Sequence, residues 1–164
     1  MDRQIEFDVK MRTKDLYKFL ICHTYSGLHG WFGVFLSVIA IFLLVTSYDS
    51  YDDAGKMILI VIALAFTVVN PLMLLSKAKQ QILTNPAYKA PLHYMLTEEG
   101  IAVSQGEESQ EVAWNMLTRQ RKFGGVLMVY TSKVHAFIFP LDQVGEDAQA
   151  VEQCISEHLH TAKG

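Results

Sequence analysis

The chain has 164 residues and a net charge of −3, from 14 Lys and Arg against 17 Asp and Glu. That length holds one or two small domains, and the charge excludes the basic footprint that nucleic-acid binding requires. The two cysteines, Cys22 and Cys154, lie far apart and outside any C-x-x-C, which leaves a disulfide framework and a zinc ribbon without support.

About thirty mixed polar residues precede the first apolar stretch, so no cleaved secretory signal is expected and that stretch stays in the mature chain. Within this opening segment, residues 4–11 (QIEFDVKM) alternate. Ile5, Phe7 and Val9 share one face, and Glu6, Asp8 and Lys10 share the other, which is the period of a strand. Thr13 then reads as a helix N-cap, with Asp15 in the first turn, where the helix dipole favours an anion. Leu16, Phe19, Leu20 and His23 follow at i, i+3, i+4 and i+7, the pattern of an amphipathic helix. It should end near Gly27 and Gly30 and lie along a membrane surface or against the C-terminal domain. His23 and His29 fall near that boundary, where headgroup-level polar contacts are the expected role. This first segment covers residues 1–29.

Residues 30–76 read as a transmembrane hairpin, with spans at about 30–48 and 57–75. The cores of the two spans, 31–47 and 57–75, contain no Asp, Glu, Lys or Arg. A bilayer core of roughly 30 Å needs about 20 apolar residues in a helix. The short polar link from Tyr48 to Lys56 forces the helices to run antiparallel. Trp31, Tyr48 and Tyr51 fall at the span ends, where aromatic anchors belong. Arg3, Lys10, Arg12, Lys14 and Lys18 precede the first span and Lys77, Lys79 and Lys89 follow the second, against Lys56 alone in the link. This asymmetry puts both termini in the cytosol of a cell-membrane protein.

Asn70-Pro71 interrupts the second span. Pro71 lacks an N–H and crowds the carbonyl four residues back, so a kink is expected. The Asn70 amide needs a partner inside lipid, and Ser37, at similar depth on the first span, is the expected one. Gly33, Ser37 and Ala40 form a small-residue strip that permits close helix approach. An intramembrane substrate site is disfavoured, because no ionisable residue lies in either span core.

Residues 77–91 form a juxtamembrane linker, with the Lys77 and Lys79 pair suited to anionic headgroups and with Pro86 and Pro91 breaking any helix. The domain at 92–164 reads as an antiparallel meander closed by a helix. Candidate strands are His93–Thr97, Ile101–Gln105, Glu111–Leu117, Val126–Thr131 and His135–Pro140. They are separated by Glu98-Glu99-Gly100, Gly106-Glu107-Glu108-Ser109, Gly124-Gly125 and Ser132-Lys133. From Glu146 to His160, Ala148, Val151, Ile155 and Leu159 recur at helical spacing, so one stripe should pack on the sheet. Its core is small for its length, and pairing with the N-terminal strand or with a second copy would enlarge it.

The domain offers little for catalysis. There is no G-x-S-x-G, Walker loop, H-E-x-x-H or G-x-G-x-x-G. Ser132, His135 and Asp142 supply the residue types of a triad without an oxyanion feature, and chance composition explains them better. Cys154 and His158, at i and i+4, could be half of a metal site, but no second half is evident, so a structural role is expected. The glutamate pairs at 98–99 and 107–108 read as solvated turns. Candidate lipid-headgroup contacts are Lys77, Lys79, Lys89, Arg119, Arg121 and Lys122, the last three clustered near a turn. Residues 92–164 carry ten acidic against five basic side chains, which favours protein partners over lipid.

The segments IEFDVKMRTKDLYKFLICHTYSG, KAKQQILTNPAYKAPLHYMLTEEGI and VAWNMLTRQRKF…VYTSKVHAFIFP, together with the two apolar stretches, resemble the YcxB-like proteins of Gram-positive bacteria over nearly the whole chain. The ordered markers are Tyr94, Glu99-Gly100-Ile101, Trp114, Tyr130 and Pro140. The resemblance implies an α+β membrane protein, with a two-helix transmembrane hairpin and a small antiparallel PH-like sheet domain ending in a helix. It implies no catalytic residue, metal or cofactor. Where the family often follows its proline with a lysine, this chain has Pro140-Leu141-Asp142, so a phosphate-binding role is not carried over. The expected function is a non-enzymatic, membrane-anchored interaction or scaffold module that contacts lipids and engages a protein partner or itself. Its strands Val126–Tyr130 and Ala136–Phe139 would then offer a sheet edge. The alternative is an accessory or immunity-type subunit acting on a transporter or the envelope through its spans.

Overall fold

The computed structural model describes residues 4–161; Arg3, counted above in the basic flank, lies outside them. The alternation at the start of the chain becomes β1 (Ile5–Val9), with Ile5, Phe7 and Val9 buried and Glu6 and Asp8 exposed. Its partner is not its neighbour in sequence. β1 pairs antiparallel with β2 (Leu92–Leu96), placing Val9 opposite Leu92 and Ile5 opposite Leu96. β3 (Gly100–Gln105) and β4 (Glu108–Ala113) extend this sheet in the order β1-β2-β3-β4.

The single meander expected from the sequence is instead two sheets. Strand β4 stops at Ala113, short of the expected Leu117, and Trp114–Met116 form a 3-10 turn. The buried Trp114 indole causes the corner: its Nε1 donates to Thr97 O at 3.0 Å, drawing the chain inward. A second sheet follows, in the order β5-β6-β7, from Arg119–Phe123, Val126–Tyr130 and Ala136–Pro140. Gly124 and Gly125 link β5 to β6 with φ of +57° and +77°. A two-residue hairpin of this hand needs positive φ at both positions, which glycine supplies without steric cost.

The core lies between the sheets. Phe139 meets Tyr94 edge-on at 4.9 Å and Phe7 at 5.4 Å between ring centroids. A short helix α5 (Leu141–Val144) leads through a 3-10 turn to α6 (Ala148–Thr161), which buries Val151, Ile155 and Leu159 along the expected stripe.

Helix α1 (Thr13–Tyr25) begins at Thr13 itself, and the carbonyl of Arg12 receives the N–H groups of Asp15 and Leu16, so Arg12 takes the cap position expected of Thr13. Leu16 and Phe19 are buried, and Phe19 faces the Tyr130 ring. Helix α2 spans Leu28–Thr46. After a turn at Tyr48–Ser50, Asp52 caps α3 (Asp53–Leu64) by accepting from Gly55 N at 2.9 Å. A π turn at Ala65–Val69 joins α3 to α4 (Asn70–Thr84), and together they form one helix, Asp53–Thr84.

The chain divides into two compact units, one joining Met1–Phe19 with Gln80–Gly164 and the other spanning Leu20–Lys79. The N-terminal strand therefore belongs with the C-terminal sheets. The apolar helices are an insert between two paired strands, β1 and β2.

Candidate functional site

In the inserted unit, apolar side chains face outward. Trp31 is 71% exposed, Val45 77% and Met73 65%, with Phe42 and Val61 similarly bare. A helix apolar on all sides suits lipid or a large core, and almost none of the apolar window of Asp53–Thr84 is buried within the protein. That helix is long and apolar enough to cross a membrane, and α1 with α2 passes the same test only if the bent pair counts as one span.

The two apolar helices meet along the small-residue strip. Gly33, Ser37 and Ala40 are all buried. A Cβ on Gly33 would stand 2.3 Å from the Phe66 ring, so only glycine permits this approach. Ser37 donates to Ile62 O at 3.0 Å. It does not pair with Asn70, as the sequence suggested. The π turn supplies the reason. The N–H of Asn70 reaches back five residues to Ala65 O, which leaves Phe66 O without its usual donor. The next residue that could serve it is Pro71, which has no N–H. Tyr25 fills the gap: its hydroxyl donates to Phe66 O at 2.7 Å and accepts from Asn70 Nδ2 at 3.2 Å. The disturbance expected at Pro71 thus takes the form of a π turn one step earlier, with the helix continuing beyond it. Thr67 adds a hydroxyl donor to Ala63 O. A carbonyl left open in an apolar setting costs several kcal/mol, and the Tyr25 hydroxyl closes the one at Phe66. Tyr25 was not legible as a partner, although the missing proline N–H signals that some donor is needed.

In the other unit, an ionic latch joins the start of the chain to its end. Arg12 Nε meets Asp15 Oδ2 at 2.6 Å, and Arg12 Nη2 reaches both oxygens of Asp142 at 2.6 and 2.8 Å. Lys14 approaches Asp142 at 3.4 Å. Hydrogen bonding to Arg12 holds the Asp142 carboxyl at about 2, well below its ordinary range, and Asp15 and Asp142 raise the Arg12 guanidinium in turn. Beside them the Gln143 amide accepts from Lys10 N at 2.9 Å and donates to Lys10 O at 3.1 Å, imitating a neighbouring strand. The residue that follows Pro140 is Leu141, and the acid after it is committed to Arg12.

The basic candidates do not form one cluster. Lys77 and Lys79 lie exposed on α4 in the inserted unit, and Lys89 is exposed after the Pro86–Tyr88 turn. Arg119, Arg121 and Lys122, expected near a turn, lie on the strand β5, with Arg119 and Arg121 on one face and Lys122 on the other. Lys122 pairs with Glu152 at 2.6 Å, and Arg119 stacks 4.3 Å over the Tyr130 ring. The strand β6, expected to offer an edge, is the middle strand of its sheet and is buried throughout, so it has none to offer.

Ser132 closes the β6–β7 turn by accepting from Val134 N and His135 N, with His135 Nδ1 3.1 Å away, while Asp142 stays with Arg12. His158 stacks on Trp114 at 4.3 Å and its Nδ1 bonds to Cys154 O at 2.8 Å, while burial raises the Cys154 thiol. Among the described residues, no group of three or more His, Cys, Asp or Glu side chains is gathered as for a metal ion.

These features define an α+β protein with two antiparallel sheets and an apolar helical insert. Residues 96–155, from the end of β2 into α6, match the family model described as YcxB-like protein. No curated protein and no solved structure matches the chain.

Proposed function

We propose that this chain is a YcxB-like membrane protein whose two apolar helices anchor a PH-like domain at the cytosolic face of the cell membrane. There the domain works as a non-enzymatic interaction module, with both termini in the cytosol. The observation that carries this reading is the insertion itself. The apolar helices lie in the chain between β1 and β2, which pair with each other, so the chain enters and leaves the insert from one folded unit. The four-strand and three-strand sheets followed by a helix support the PH-like assignment. Lys10, Lys14 and Lys18 before the first apolar stretch and Lys77, Lys79 and Lys89 after the second support the orientation and a headgroup role.

The competing reading, action on a transporter or the envelope through the spans, draws on Asn70 and Pro71. Both are accounted for by the π turn and by Tyr25, so the anchor reading is preferred. In-cell cross-linking followed by purification in detergent separates the two. Adducts should map to residues of the sheet unit. Adducts confined to the inserted helices would favour the competing reading.

A further inference from the structure

We propose that β5 of one copy pairs with β4 of another, so that the chain associates head to tail through complementary sheet edges. This rests on the module reading above and names its partner as a second copy. Among the described residues, the two sheets have four edge strands: β1, β4, β5 and β7. The edge of β1 is covered at Lys10 by the Gln143 amide, and β7 passes at Pro140 directly into α5, which packs on both strands. Among the described residues, strands β4 and β5 each pair on one side only. An open edge presents unpaired N–H and C=O groups that template another strand.

Charge then selects the partner. Strand β5, with five residues, carries Arg119, Arg121 and Lys122. Strand β4, with six residues, carries Glu108 and Glu111, follows Glu107, and is exposed except at Val112. Pairing β5 with β5 would set cations against cations, and pairing β4 with β4 would set carboxylates against carboxylates; like charges directly across strands are destabilising. Only β4 against β5 joins opposite charges: Arg119 and Arg121 share one face of β5, Glu108 and Glu111 lie on opposite faces of β4, and so one glutamate falls on the arginine face whichever way the strands meet. Two different edges of one chain make a heterologous contact, which builds rings or open chains rather than closed twofold dimers.

The test uses the full-length protein in detergent micelles, with mass measured across a range of concentrations. The wild type should form oligomers that weaken as salt rises. R119E/R121E and E108K/E111K should each lose association by about tenfold or more. Mixing them should restore association, because each then offers the edge the other lacks. R121E alone and E111K alone are milder versions, to be read if a double variant melts below the wild type. A monomeric wild type, single-edge variants that associate as the wild type does, or a mixture of folded variants that stays apart would each overturn the pairing. Membrane fractionation of the same cells keeps the two readings separable: a monomer that sediments with membranes sinks only the pairing, whereas a soluble chain sinks the anchor itself.

Discussion

Val9 stands directly across from Leu92 in the β1–β2 pair, although the whole apolar insert separates them in sequence. The sheet unit is therefore complete only when the chain on both sides of the insert comes together. Joining residues 4–19 to 80–161 through a short Gly/Ser linker should give a soluble domain with a cooperative thermal transition. The segment 92–161 alone loses β1 with Ile5, Phe7 and Val9 and the α1 contacts of Leu16 and Phe19, and it should show no cooperative transition. Circular-dichroism melts of the two proteins check this.

Arg12 lies between two acids in different surroundings. Asp15 is 1% exposed and Asp142 is 54% exposed on the side-chain measure. R12A leaves a buried carboxylate without its cation and should cost about 3 kcal/mol. D142N removes only the outer pair and should cost about 0.5–1 kcal/mol after allowance for solvent screening. The folded-state value of Asp142 lies below its ordinary 3.8, at about 2. Its contribution is therefore complete above about pH 4 and fades as the pH falls towards 2. In D142N that part of the acid dependence should be absent, as read from urea midpoints of the linked domain at each pH.

Tyr25 and Pro71 should be energetically coupled. Y25F removes the donor to Phe66 O and the acceptor for Asn70, at a cost of about 1 kcal/mol. P71A supplies the backbone N–H that the π turn lacks, giving Phe66 O a local donor. Y25F should therefore cost less in the P71A background than in the wild type. A thermal double-mutant cycle in detergent measures the coupling, and additive effects would count against the shared carbonyl.

Gly33 sets the spacing of the inserted helices. G33A places a Cβ against the Phe66 ring and should lower the detergent melting midpoint, with G33L lowering it further. F66A costs packing by itself, yet it should remove most of the penalty of G33A in the double variant, because the clash lies with that ring.

Much of this fold was legible because its signals are local. Strict alternation marked β1, the uncharged runs marked the apolar helices, glycines marked the hairpins, and a stripe at helical spacing marked α6. The strand β5 was hidden because its sequence, RQRKF, has no apolar alternation. It is a strand through its pairing with the buried β6 and its Lys122–Glu152 contact with α6. The role of Asp142 was hidden because its partner Arg12 is 130 positions away. The partner of Asn70 was hidden for a different reason. Depth along two straight helices pointed to Ser37, but the π turn rotates the hydrogen-bond register by one residue and gives Asn70 to Tyr25.

The anchor with both termini inside is tested most directly by side-specific cysteine labelling in intact cells. Cys22 and Cys154 are first replaced by serine, and single cysteines are then placed at Ser50 in the link and at Ser104 on β3. A membrane-impermeant maleimide should label position 50 from outside and reach position 104 only after the cells are opened. Labelling of both positions in intact cells, or of position 104 alone, would contradict the hairpin anchor and its orientation.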